Sequence, residues 1–218
     1  MKTAMILAAG RGERMRPLTD LTPKPLLQVR GRPLIEHHVA ALAASGFNRL
    51  VVNLCWLGTQ IRDYLGDGAR YGVSILYSEE YPRALEVAGG ILRALPLLGP
   101  APFAVVNGDI FCDFQYAGLK LGANADAHLV LVPNPPQHPQ GDFGIDQGWA
   151  VPEAVNVYTF AGIAMYRPAF FQGSVAGVLP LKPLLLHSME KGRCSAELYT
   201  GNWQDVGTPQ RLAAVNTG

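Results

Sequence analysis

Arg14, Arg16 and Lys24 follow closely on a loop of small residues, Ala8-Ala9-Gly10-Arg11-Gly12-Glu13. Glycine admits a ligand that a Cβ would hold off, and the N–H groups from Ala9 to Gly12 can close on an anion. Guanidinium and ammonium groups add the charge that one divalent cation would leave uncompensated on a triphosphate. Gly10 and Gly12 alone would signify no more than a tight turn, but two arginines and the proline-flanked Lys24 give the loop a chemical reading. Two familiar phosphate motifs are excluded. A Walker A loop needs Gly-Lys-Ser/Thr where this chain has Gly12-Glu13-Arg14, and the dinucleotide fingerprint needs a third glycine where it has Met15.

A second chemical signal lies downstream. The apolar run Phe103-Ala104-Val105-Val106 ends in Asn107-Gly108-Asp109. A carboxylate at the tip of a buried strand is expensive to desolvate unless a cation binds it, so Asp109 is a candidate ligand for a nucleotide-bound metal, with a turn-capping role as the other reading. Gly89 and Gly90 precede a helical run over 91–95, where a base or ribose can lie flat on backbone; an ordinary glycine-containing helix start is the alternative. Gly144, between Phe143 and Ile145, marks either a close approach or a β-bulge, with the bulge favoured by sequence alone.

Other residues carry less. His37 and His38 are adjacent on a helix and point apart, so they cannot chelate as an i, i+4 pair would. His128, His138 and His187 are isolated and read as packing or surface residues, and Trp56, Trp149 and Trp203 as core or pocket wall, since no basic groove accompanies them.

The elements that must position these groups follow from periodicity. Ala4-Met5-Ile6-Leu7-Ala8 reads as a buried strand that delivers the first loop. Pro33 opens a helical pattern through Leu34, His37, His38, Ala41 and Leu42 that closes near Gly46. A strand over 49–54, a helix over 57–65 and a strand over 73–77 continue the alternation. That rhythm argues for an α/β fold: a single-domain, Rossmann-like three-layer sandwich around a mostly parallel, mixed sheet, with ligands beyond the carboxyl ends of the strands. Asp113 reads as the N-cap of a helix over 114–121, and 127–132 as a strand. The proline-rich stretch 133–139 forms a surface loop, and 157–166 a strand or strand pair. Thr208 and Pro209 start a last helix, leaving Asp205 in the loop before it.

Composition sets the limits. A chain of 218 residues supports one sizeable core, and a net charge of +1 gives no global field for nucleic acid or an anionic membrane. Three widely spaced cysteines argue for reduced thiols and a cytoplasmic setting. The N-terminal apolar stretch is too short for a signal peptide and runs into Arg11, Glu13 and Arg14; no stretch approaches the ~20 apolar residues needed to span a bilayer.

Leu7 to Arg16, Pro17-Leu18-Thr19, Lys24-Pro25-Leu26-Leu27 and Trp203-Gln204-Asp205-Val206-Gly207-Thr208-Pro209 together resemble the signatures of the sugar-1-phosphate nucleotidyltransferases. Within that family the chain is most similar, over nearly its whole length, to the N-acetylmuramate-1-phosphate uridylyltransferases of cell-wall recycling. The resemblance implies UTP and N-acetylmuramic acid 1-phosphate as substrates, with UDP-N-acetylmuramic acid and pyrophosphate as products. It also implies Mg²⁺ held by Asp109 and Asp205, a pairing that about a hundred residues of separation hides from sequence reasoning. It assigns Ala8, Ala9, Gly10, Arg11, Gly12, Glu13, Lys24, Gly89 and Asn107 to the nucleotide, largely within residues 1–110. Arg14 then covers the departing pyrophosphate and Lys24 the α-phosphate, while Arg16 either joins them or pairs with Glu13 or Asp20. Gly144, Glu153, Asn156 and Ala161 are assigned to the sugar, within 111–218, and Lys182 is a further candidate for its phosphate. Val87 replaces the threonine common in the family, removing a hydroxyl. A sugar 1-phosphate is already largely a dianion, so its oxygen can attack without a general base. The competing substrate readings are mannose or glucose 1-phosphate with GTP or dTTP, and phosphocholine with CTP; a non-catalytic nucleotide-binding subunit is the competing class. Some relatives carry a C-terminal β-helix that drives oligomerisation, and the chain ends at Gly218 without one, so a monomer is expected.

Overall fold

The computed structural model describes residues 2–217. Its first half comprises β1 (Lys2–Leu7), β2 (Gln28–Val29), β3 (Arg32–Pro33), α1 (Leu34–Ala44), β4 (Phe47–Leu54), α2 (Gly58–Leu65), β5 (Ser74–Glu79), α3 (Glu86–Leu98), β6 (Phe103–Asn107) and β7 (Ile110–Cys112). The second half comprises β8 (Ala127–Val132), β9 (Phe143–Asp146), β10 (Trp149–Val151), β11 (Val157–Tyr166), α4 (Lys182–Glu190), β12 (Cys194–Leu198), β13 (Trp203–Asp205) and α5 (Pro209–Thr217).

Runs such as Leu50-Val51-Val52 and Ala4-Met5-Ile6 are buried on both faces, as strands covered by helices on each side must be. Nine strands form one sheet in the order β5-β4-β1-β6-β11-β8-β12-β10-β9. β5, β4, β1 and β6 are parallel, and β11 enters antiparallel to both β6 and β8. With β12 parallel to β8, and β10 antiparallel to both β12 and β9, seven of the nine strands point one way, so the mixed, mostly parallel sheet is as expected. The far half curls: β9 pairs also with the start of β11, at Val157 and Tyr158. Ile35, Val39 and Leu42 of α1 and Ile61 and Leu65 of α2 cover one face. Ile91, Ala94 and Leu98 of α3 and Leu185 and Met189 of α4 cover the other, which completes the three layers.

Several elements differ from the expectations. The helix expected over 114–121 is a single 3-10 turn at Tyr116–Gly118, because Phe114, Tyr116 and Leu119 are all drawn into the core. Asp113 therefore caps no helix; its carboxylate accepts hydrogen bonds from the Tyr199 hydroxyl and, at 2.9 Å, from the Asn202 N–H. α3 starts at Glu86, so Gly89 and Gly90 lie inside the helix and not before it. The run 157–166 is one strand, with its pairing to β8 shifted between Phe160 and Ile163; Gly162 adopts φ +74° there, beside the Asn107 side chain. Asp205 lies on a strand, β13, and not in a loop.

His38 of α1 is a buried packing residue. Burial lowers its pKa from 6.5 to about 4, and its Nε2 has no partner among the described residues. The unfolded chain thus binds a proton that the folded chain refuses between pH 6.5 and about 4. Stability linked to this group is fully present above pH 6.5 and falls by up to about 3 kcal/mol as the pH drops to 4. Thermal unfolding across this window checks it: the slope is expected to flatten in His38→Gln.

Candidate active site

The site is assembled at the carboxyl ends of the parallel strands, where the connections can diverge from the sheet. β1 ends at Leu7 and delivers Ala8, Ala9 and Gly10 to the wall of one cavity, and β6 delivers Asn107, Gly108 and Asp109 to its floor. Lys24, Pro25, Asn53, Glu80, Ala84, Glu86 and Val87 complete its lining. A second cavity shares Asn107 and Asp109 with the first and adds Arg14, His138, Ala161, Trp203 and Asp205. The two measure about 230 and 220 Å³, so together they reach the size of an ordinary small-ligand site.

The convergence of Asp109 and Asp205 is a product of tertiary structure. After β6 the chain turns at Gly108 and continues as β7, and β13 pairs antiparallel with it so that Asp205 stands opposite Ile110. The Val206 N–H donates to the Asp109 carbonyl at 2.8 Å, which fixes the two acids at adjacent ends of the ribbon. Behind the ribbon, Val206 and Val215 pack on Val29, Leu34 and Phe111, so the C-terminal segment is tied to the first half of the chain.

Each acid has a cationic partner. Lys24 donates to Asp109 Oδ2 at 2.7 Å, and its side chain is only 9% exposed against 39% for the aspartate. The buried ammonium therefore depends on this carboxylate more than the carboxylate depends on it. Arg211, on α5, forms an ion pair with Asp205 Oδ2, and Thr208 Oγ1 accepts the Arg211 N–H at 3.3 Å as the helix cap. Arg211 is a residue sequence reasoning missed. Its signal is its place one turn into the helix that Thr208 and Pro209 announce, facing back along it toward Asp205. Asn53 and Glu80, both almost fully buried in the wall of the first cavity, were also missed.

The remaining expected site residues divide. Arg14 reaches the cavity with both acids, while Arg16 pairs with Asp20 at 3.2 Å. Arg11 lies over the Trp56 ring and within 4.0 Å of Glu13, and Gly12 holds a left-handed turn against Thr19 and Lys24; none of these three lines the two cavities. Gly89 does not face the first cavity: a Cβ there would strike the Gly177 carbonyl, and its N–H donates to the Leu179 carbonyl at 3.1 Å. Helix-to-loop packing accounts for that glycine. Gly144 likewise meets Ala154, so the connection between β10 and β11 closes on it. Glu153 and Asn156 line a separate depression on the hairpin side, Ala161 lines the cavity of the acids, and Lys182 lies over the Phe143 ring. His138, expected to be peripheral, lines the same cavity as Asp109 and sits 3.3 Å from Asp142.

Comparison with known proteins decides the family. A model described as Nucleotidyl transferase matches residues 3–161. The chain belongs to the nucleotidyl transferase family. It is 52% identical to the N-acetylmuramate alpha-1-phosphate uridylyltransferase of Neisseria meningitidis serogroup B, over 96% of this chain and 94% of the relative. It is 32% identical to the protein of the same description from Caulobacter vibrioides, over 98% of this chain and 95% of the relative. A mannose-1-phosphate guanyltransferase of Yarrowia lipolytica is also 32% identical, but the chain spans only 61% of it. Among solved structures, a Bacillus anthracis protein described provisionally as a glucose-1-phosphate thymidylyltransferase superposes with a TM-score of 0.85 over the whole chain at 24% identity, a likeness of fold.

Proposed function

We propose that the chain is a uridylyltransferase that joins UTP to N-acetylmuramic acid 1-phosphate in cell-wall recycling, releasing pyrophosphate. The observation that carries this is the β7–β13 ribbon, which brings Asp109 and Asp205 to one cavity with Arg14 while Lys24 stands on Asp109. The names of the two uridylyltransferase relatives support the choice of sugar and base. Three cysteines without disulfides, and no helix among the described residues long and apolar enough to cross a membrane, accord with a cytoplasmic setting.

The donor set suits Mg²⁺. Two carboxylates offer hard oxygen ligands, and no cluster of three or more His, Cys, Asp or Glu side chains exists among the described residues, so the protein alone does not cage a metal. Mg²⁺ characteristically takes one or two carboxylates and completes its shell with water and substrate phosphates. Asp109 and Asp205 would hold it, and when bound it neutralises charge on the phosphates. The chain's own groups do the rest. Arg14 faces the phosphate charge in the acids' cavity. Lys24 holds Asp109 in place and presents its remaining N–H bonds to the α-phosphoryl oxygens. The sugar phosphate oxygen attacks the α-phosphorus, a new P–O bond forms, and the bond to the bridging oxygen of pyrophosphate breaks, with the electron pair leaving on pyrophosphate. Because the nucleophile arrives ionised, catalysis is positioning and neutralisation.

Pyrophosphate release measured with each nucleoside triphosphate against N-acetylmuramic acid, glucose and mannose 1-phosphates and phosphocholine tests the reading. Inactivity with UTP and the muramate phosphate, or preference for another pair, would reject it. Any turnover rejects a purely regulatory subunit. Arg211 yields a separate expectation: Arg211→Met frees the Asp205 carboxylate to rotate and should raise the Mg²⁺ concentration for half-maximal rate by about 10- to 100-fold, with a smaller change in kcat at saturating metal. A Mg²⁺ titration of the initial rate checks it.

A further inference from the structure

Asn53 and Glu80 are 3% and 2% exposed, yet neither belongs to the phosphate machinery. The Ala8 N–H donates to Asn53 Oδ1 at 2.7 Å, Asn53 Nδ2 donates to Glu80 Oε1 at 2.6 Å, and the Leu85 N–H donates to Glu80 Oε2 at 2.7 Å. Four chain segments meet in this one run of bonds: the loop after β1, the strand β4, the residue after β5, and the start of α3. Its two ends reach the lining of the first cavity, Ala8 directly and Leu85 through its neighbours Ala84 and Glu86. Glu86 holds φ +59° at that corner, an uncommon conformation for a residue with a side chain, and needs its neighbour anchored.

We infer that Asn53 and Glu80 form a positioning bridge that sets the spacing between the loop after β1 and the start of α3, both of which line the nucleotide cleft. The inference rests on the proposed nucleotide site. Its residue types follow from counting donors. Both terminal groups are backbone N–H and can only donate, so two side chains linking them must supply three acceptors and one donor. One amide and one carboxylate satisfy that; two amides leave a pair of donors face to face, and two carboxylates a pair of acceptors. Gly90 explains the room: a Cβ there would come 2.5 Å from Glu80 Oε1 and 3.1 Å from Asn53 Nδ2.

The counting also permits the reverse order, a carboxylate on β4 and an amide after β5, without changing size. Glu80→Gln and Asn53→Asp each break the pattern, while the double variant Asn53→Asp/Glu80→Gln restores it. Each single variant is expected to weaken UTP binding measured by calorimetry, and to raise KM for UTP, by about 10- to 100-fold. kcat at saturating UTP and KM for the sugar phosphate should stay within about threefold, because no transition-state contact is lost. The double variant should return UTP affinity to within about threefold of the parent. Amide hydrogen exchange at Ala8 and Leu85 reads the bridge without ligand and should accelerate in the singles and recover in the double. If the parent binds no UTP, the nucleotide reading fails, and exchange still decides whether the bridge forms. The inference is overturned if folded singles bind UTP as the parent does, or if the double is no better than the worse single. Should Asn53→Asp fail to fold, Glu80→Gln and the double carry the same comparison.

Discussion

Asp109→Asn is expected to lower kcat by roughly three orders of magnitude, the upper end of the loss seen when one preorganised group that supports stabilisation of the developing anion is removed. Three consequences converge on this one atom change. A candidate metal ligand that lines both cavities is lost. The contact at 2.7 Å with Lys24 becomes that of a neutral amide, so the ammonium is no longer held by an opposite charge. Lys24, at 8% exposure, then remains a buried cation without its counter-ion, and breaking such a pair from the carboxylate side is the costlier direction, at about 3 kcal/mol before discount for the part-exposed aspartate. The variant should accordingly melt earlier as well as turn over slowly. Rates of pyrophosphate release and a thermal melt on one preparation check both; a variant retaining a tenth of the parent kcat would remove Asp109 from the mechanism.

The complementary substitution separates charge from fold. Lys24→Met keeps an unbranched apolar stem in the buried slot. It removes the ammonium, and it leaves Asp109, which water already reaches. Stability should change by about 1 kcal/mol or less, whereas kcat should fall by about 100- to 1,000-fold. Lys24→Arg is not expected to rescue, because a planar fork cannot replace a compact ammonium in a buried slot that meets one carboxylate oxygen. The pair of variants therefore gives opposite signatures, one losing activity with stability and the other losing activity alone. Equal loss of stability in both would mean that the Lys24–Asp109 contact serves the fold and not the reaction.

What the chain's linear order determined by itself was the first half of the sheet and the parts of the site that are local. Alternating apolar runs and helical spacings specify β1, α1, β4, α2 and β5 because strand and helix periods are read over a handful of neighbours, and parallel strands buried on both faces leave an unbroken apolar signature. Ala8 to Gly10, Arg14, Lys24 and the strand-tip Asp109, which line the two cavities, were legible for the same reason, whereas Arg11 and Gly12 line neither. Tertiary structure alone decided the rest. Phe114 and Tyr116 prefer the core to a helix over their own segment. Gly89 is required by a loop some ninety residues away, and Gly144 by Ala154 in the connection between β10 and β11. Asp109 meets Asp205 only because β13 returns to pair with β7, and Ala8 is tied to Leu85 only because β4 and β5 carry Asn53 and Glu80 to the gap between them. Contacts of this kind join residues that share no local period, so the free energy that selects them exists only once the sheet has formed.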